Sequence, residues 1–219
     1  MSDSESREMY LKSIFELKVG EEPVAVSSIA QRLGVSSVSA TEMMKRLEQN
    51  GLVIHTPYKG YDLSAEGRKR ALVVVRKQRL WERFLVDHLG IAWEQLYDFS
   101  CSLEHATHSQ VTEALANFLD HPTHCPHGNP IPGPDGEYAE NTYRPLSEID
   151  LDQQVRIERV VQPESALCDY LAARGLTPGA TLVTIEQAPY NGPLTVDLNG
   201  QQIALGREIA ARIFVSDAQ

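Results

Sequence analysis

The sequence predicts a mainly α chain with small β units. It opens with a winged helix-turn-helix, continues as a helical middle and closes as a small β-barrel. Three observations carry this reading. Through most of the first half, apolar residues recur at helical intervals between glycine stops. One pair of short runs, Leu52–Thr56 and Tyr61–Leu63, flanks the turn Pro57-Tyr58-Lys59-Gly60 and can pair as a hairpin. After a segment dense in proline and glycine, several strand-length runs follow one another in about 70 residues.

The first helix is expected over Glu5 to Val19, with Met9, Leu11, Ile14, Phe15 and Leu17 in a helical pattern that Gly20 and Pro23 end. The run Val26 to Val35 reads as a short helix that a serine can cap, broken by Gly34 into a tight turn. A third helix is expected from Ser37 to Asn50. A short helix, a glycine turn and a second helix make a helix-turn-helix, and the hairpin that follows is its wing. Ser64 caps a long helix running to Gly90, and Trp93 to Asp120 supplies more amphipathic helix. From Pro122 to Gly136 the chain has five prolines and three glycines, so it is expected as a loop. Beyond it, strands are expected at Val155–Val161, Thr181–Glu186, Leu194–Leu198, Ile203–Leu205 and Arg212–Val215, with a short helix from Glu164 to Arg174. Asn199-Gly200 is a hairpin-turn signal. The expected divisions are 1–75, 76–145 and 150–219.

At 219 residues the chain can bury a substantial core. No apolar run approaches the roughly 20 residues that cross a bilayer, and Met1 to Glu8 is polar, so a cytoplasmic protein with no membrane partner is expected. Three cysteines at wide spacing argue for reduced thiols rather than a disulfide framework. The net charge of −10 is unevenly spread: residues 1–80 carry +3 and the remainder −13. Between Met44 and Arg79 the chain has nine basic residues against three acidic ones, a stripe fit for phosphates or for ordinary solvated helix surface.

In a winged helix the third helix enters the major groove of double-stranded DNA. Its early side chains here are Ser36, Ser37, Val38, Ser39 and Glu42. Serines read bases weakly and Val38 offers an apolar contact to a thymine methyl, so part of the specificity falls to DNA shape and symmetry. Lys45, Arg46 and Lys59 are the expected phosphate contacts. Helix-turn-helix proteins commonly bind two half-sites as dimers, so a homodimer on a palindromic operator is expected. Trp81, Phe84, Leu85, Leu115, Phe118 and Leu119 can line that dimer interface or serve as core within one chain.

Cys101, Glu104 and His105 stand at i, i+3 and i+4 of an expected helix, so a soft, a hard and a borderline donor share one face. Such a trio suits a divalent transition metal better than calcium or magnesium, and it is one ligand short of a closed site. Equally, Cys101 can be a small core residue beside a surface hydrogen bond of the other two. His121, His124, Cys125 and His127 in the loop have donors that could close on zinc, although loop histidines beside prolines are often simply exposed.

The order of elements resembles the diphtheria-toxin-repressor and manganese-transport-regulator family of metal-dependent transcription factors. The resemblance lies in Met9-Tyr10-Leu11, the Ile29–Val53 helix-turn-helix, Arg76 to Arg83, Cys101-Ser102-Leu103-Glu104-His105 and Cys125 to Pro132. It is dense over residues 7–132. The C-terminal unit resembles the SH3-like domain of the three-domain, iron-responsive branch. The resemblance implies a helical dimerisation and metal-binding domain in the middle and repression of metal-uptake genes. It also implies a primary metal site of Met9, Cys101, Glu104 and His105, where one ion joins the first helix to the dimerisation domain. An ancillary site is implied with Glu82 and Glu164; Gln78 and Tyr97 stand where the family has two histidines, and Leu167 where it has a glutamine. The stretch around Cys125 recurs in that family as a connecting segment.

Soft donors at Met9 and Cys101 favour Fe(II), whereas the manganese branch has carboxylates there; the cofactor is expected to be Mn(II) or Fe(II). The rival expectation is a winged-helix regulator without metal control. An enzyme is not expected, since one helix face offers no oxyanion donors.

Overall fold

The computed structural model describes residues 3–18, 20–139 and 142–218. Val19, where the first helix was expected to end, lies outside them. The chain forms two compact units. One comprises residues 1–78, 104–107 and 132–138; the other comprises residues 79–103, 108–131 and 139–219.

The first unit is a winged helix-turn-helix. Helix α1 (Asp3–Leu17) buries Tyr10, Leu11 and Ile14 in a core shared with Ile29, Ala40, Met44, Leu47 and Val53. Helix α2 (Val26–Leu33) begins directly after a backbone bridge between Val24 and Tyr61, so Ala25, not a serine, holds its N-cap position. Gly34 ends it with φ of 64°, a left-handed conformation that costs glycine nothing. Helix α3 (Ser37–Gln49) follows, then the antiparallel wing of β1 (Val53–Thr56) and β2 (Gly60–Leu63). Ser64 caps α4 (Ala65–Leu89) by accepting from the Gly67 amide at 3.0 Å. A Cβ on Gly67 would stand 1.9 Å from the Leu52 carbonyl oxygen, so glycine lets the helix start lie against the wing backbone.

The second unit contains a helical part and a six-stranded sheet. The amphipathic stretch from Trp93 does not run unbroken to Leu119. It makes a 3-10 turn at Trp93–Gln95, α5 (Leu96–Ala106) and α6 (Ser109–Phe118). The break falls where His108 takes extended backbone and its Nδ1 accepts from the Gln110 amide, a local competitor for the helical ladder. The sheet contains β3 (Arg144–Pro145), β4 (Gln154–Val160), β5 (Thr181–Gln187), β6 (Leu194–Leu198), β7 (Gln201–Leu205) and β8 (Ile213–Asp217). Its order is β3-β8-β4-β5-β6-β7, antiparallel throughout. Helices α7 (Ser165–Ala172) and α8 (Arg207–Ala210) complete its core, with Leu167 and Leu171 packed among Ile157, Val160, Val196 and Ile213. Asn199 and Gly200 both take positive φ in the β6–β7 turn, as the hairpin signal requires.

In an ordinary helix, Gly67→Ala would stabilise by about 1 kcal/mol. Here the added methyl meets backbone, and the expected outcome is a loss of about 1–3 kcal/mol in urea denaturation.

Candidate functional site

Helix α3 is presented outward by its cap. The Ser36 hydroxyl accepts from the Ser39 amide at 3.1 Å and lies 2.9 Å from the Ser39 hydroxyl, so it is committed to starting the helix. Ser37, Val38, Ser39 and Glu42 are exposed on the first turns, Val38 to 70%. Lys45 and Arg46 are exposed further along. Lys59, in the wing turn, pairs with Glu22 at 3.4 Å, and both groups are well exposed. A pair of that kind contributes little and exchanges readily for a phosphate.

Helix α5 carries Cys101, Glu104 and His105 at the expected spacing, with Cys101 half-buried. Within the first unit, Glu104 and His105 meet α1. The Lys12 ammonium donates to both Glu104 oxygens, at 2.7 and 2.8 Å, in a setting where Lys12 is 2% and Glu104 1% exposed. The Glu8 carboxylate lies 3.1 Å from His105 Nδ1 and accepts from it when that nitrogen is protonated. The other ring nitrogen, Nε2, faces Glu104. It lies 3.3 Å from Glu104 Oε1 without hydrogen-bond geometry, and has no hydrogen-bond partner among the described residues. A carboxylate orienting an imidazole whose other nitrogen faces a second carboxylate is an arrangement that could serve a metal ion, with the first carboxylate as outer support. Met9 is half-buried on α1. Glu8 and Lys12 stand at i and i+4 on α1, one helical turn apart, so both can reach α5 residues one turn apart.

A second cluster lies wholly in the second unit. Glu82 on α4 meets Cys125 and His127 from the proline-rich segment, and one ligand atom from each lies within 4.8 Å of the others, all buried. That segment is held by backbone: the Cys125 amide donates to the Asn129 carbonyl, the Val160 amide to the His127 carbonyl, and Asn129 Nδ2 to the Val160 carbonyl at 2.7 Å. His127 Nε2 lies 3.2 Å from the Trp93 carbonyl oxygen, which can only accept, so this nitrogen carries a proton. His127 Nδ1 then faces Glu82 Oε2 at 3.4 Å. Two lone pairs this close in a dry pocket need a cation between them, either a proton or a metal ion. Burial alone pushes the Glu82 carboxyl up; the charge on His127, hydrogen bonds from His127 and Cys125, and the Arg79 guanidinium outweigh it and hold the carboxyl below its usual range. Burial, then the Glu82 carboxylate, push the Cys125 thiol far above the usual range. Carboxylate, imidazole and sulfur at this spacing fit a divalent transition ion and leave coordination positions open.

The other expected ligands have different surroundings. Gln78 is buried on α4 and Tyr97 is half-buried on α5. Glu164 holds the N-cap position of α7 and pairs with Arg212 at 2.8 Å, while Leu167 is core. His88 is exposed and stacks with Phe84 and Phe118, and Phe118 is 62% exposed. Of the four loop donors, Cys125 and His127 turn inward, whereas His121 and His124 are exposed. The sequence offers Cys125 and His127 as donors, and the resemblance implies Glu82 as an ancillary ligand, but no local signal joins them, because α4 and the loop meet only by folding.

Comparison with known proteins covers nearly the whole chain. Residues 4–61 match the N-terminal DNA binding domain of the iron-dependent repressors, residues 64–133 their metal binding and dimerisation domain, and residues 144–217 the FeoA domain. The iron-dependent repressor IdeR of Mycobacterium leprae is 30% identical over 223 aligned positions, covering 96% of each chain. A solved manganese-dependent transcriptional repressor in complex with manganese superposes with a TM-score of 0.87 at 30% identity, covering 97% of this chain and 100% of that one. ScaR with bound Zn2+ gives 0.87 at 34%, covering 97% and 99%.

Burial also pushes the Cys168 thiol up to about 12. With Cys125 displaced in the same direction, at most one of the three cysteines of the native, metal-free chain is expected to react with an aromatic disulfide at about pH 8. The remaining thiols should appear only on denaturation; prompt reaction of two or three would contradict the burial described.

Proposed function

This chain belongs to the iron-dependent repressor family and is a metal-dependent, DNA-binding repressor that acts as a dimer; on that premise we propose that Glu82, Cys125 and His127 hold one divalent ion and that Met9, Cys101, Glu104 and His105 hold a second. The observation that carries the reading is the approach of the three ligand atoms of Glu82, Cys125 and His127 to within 4.8 Å in a fully buried pocket. Glu164 and Gln78 are the candidates for further ancillary ligands, with Glu164 having to leave Arg212 to serve. The ion is Mn(II) or Fe(II): sulfur and imidazole are compatible with both, and the second sulfur of Met9 favours iron.

When bound, the ion supplies the positive charge that lets the Cys125 thiol ionise beside the Glu82 carboxylate. The chain provides the rest. The Trp93 carbonyl holds the His127 tautomer whose Nδ1 faces Glu82, and the backbone bonds to Asn129 and Val160 fix the loop that presents Cys125 and His127. Glu8 holds His105 with Nε2 toward Glu104. Closure of these ligands favours the arrangement of the chain that offers them together, and DNA affinity follows the population of that arrangement.

On DNA, Ser37, Val38, Ser39 and Glu42 meet base edges in the major groove, with Ser36 at the helix start, while Lys45, Arg46 and Lys59 contact phosphates. The aromatic group of Phe84, His88 and Phe118 is covered by the second copy, giving a two-fold protein matched to a palindromic operator. We assign the protein to the cytoplasm, repressing genes of metal uptake, with division into segments 1–75, 76–145 and 150–219.

The test is anaerobic binding of the full chain to a palindromic operator duplex with Mn(II), Fe(II) or chelator. Tight binding should require metal, and His127→Ala or His105→Ala should raise the metal concentration needed by roughly 10- to 100-fold. Equal binding in chelator would overturn metal control. Lys45→Ala should weaken binding to all duplexes alike and lower the slope of log affinity against log salt by about one.

A further inference from the structure

The Glu104 carboxylate already has a cation. Lys12 donates to both of its oxygens at 2.7 and 2.8 Å, and the side chains are 3% and 0% exposed, so the ammonium and the carboxylate neutralise one another out of reach of water. On the same carboxylate, His105 Nε2 stands 3.3 Å from Oε1 with no hydrogen bond of its own among the described residues, while Glu8 engages the other ring nitrogen. The imidazole is therefore set as a ligand, but the carboxylate it would share is taken by a charge from within the chain.

We propose that Lys12 is a tethered competitor for the metal: its ammonium occupies the cation position on Glu104 in the ion-free chain, and an incoming divalent ion must displace it. The inference rests on Glu104 and His105 being ligands, as proposed above. Two consequences follow from electrostatics. Glu104 stays ionised and in place without metal, since the ammonium compensates its charge. The affinity of the site is lower than its donors alone would give, because each binding event must break a buried bidentate pair and rehouse an ammonium. Such a competitor sets the ion concentration at which the site fills, and a second positive charge close to the ion makes a monovalent or weakly held cation a poor substitute.

The experiment is Mn(II) titration of the full chain, read by the EPR signal of the free ion, in a His127→Ala background that silences the Glu82 cluster. Replacing Lys12 by Met in that background should tighten Mn(II) binding by about tenfold or more, whereas Lys12→Arg should not tighten it. Unchanged or weaker binding in the folded Met variant overturns the competitor while leaving the ligand assignment intact. Absence of any Mn(II) or Zn(II) binding that depends on Glu104 and His105 overturns both. Because the Met variant removes the ammonium from Glu104 and can lose its fold, the native chain provides an independent measurement. The 15N resonance of the Lys12 ammonium, assigned through Lys12→Arg, should be visible in chelator and shift or vanish on stoichiometric Zn(II). A resonance absent in chelator, or unmoved at saturation, overturns the proposal.

Discussion

A buried carboxylate cannot stand uncompensated, and the chemistry of this chain is arranged around that constraint. Moving a charge from water into a dry interior costs far more than a folded domain can spare unless an opposite charge or several donors meet it. Glu82 and Glu104 are each almost fully buried. Each is met by a different solution. Glu104 has the Lys12 ammonium on both oxygens. Glu82 has the His127 ring, the Cys125 thiol and the nearby Arg79 guanidinium.

The two solutions have different chemical meanings. Lys12 meets both oxygens of Glu104 from within the chain, without an added ion. At Glu82 the compensation comes from groups whose side chains carry donor atoms of their own, the imidazole and thiol of His127 and Cys125. The fixed tautomer matters here: because the Trp93 carbonyl claims the Nε2 proton, Nδ1 is the nitrogen that faces the carboxylate. The same logic, with Glu8 in the place of the carbonyl, orients His105. Both imidazoles are thus held by outer partners that decide which nitrogen is presented.

The DNA-facing side obeys a simpler rule. Ser36 puts its hydroxyl into the helix start, which keeps α3 in place, and the residues immediately after it are left to solvent. An exposed valine in the midst of small hydroxyl residues is a cost on a free surface and a gain against a thymine methyl. An acidic chain can still offer a phosphate-binding face, because phosphate contacts depend on the field near the groove and not on total charge.

The winged helix-turn-helix was legible from sequence because its determinants are local: Gly34 at the turn, Ser64 at a helix start, and alternating residues about a four-residue turn. The Cys101, Glu104 and His105 trio was legible because helical spacing alone aligns it, and Asn199-Gly200 because backbone conformation is a property of two residues. The break between α5 and α6 was not, since a histidine cap competing with an amphipathic pattern is decided by small energies. Neither was the cluster of Glu82 with Cys125 and His127, or the pairing of Lys12 with Glu104: each joins segments far apart in the chain, and periodicity contains no information about which of many charged residues will be buried together. Sequence determined which donors exist and which face of a helix presents them. Tertiary packing alone decided which carboxylates left water, and therefore which cations they require.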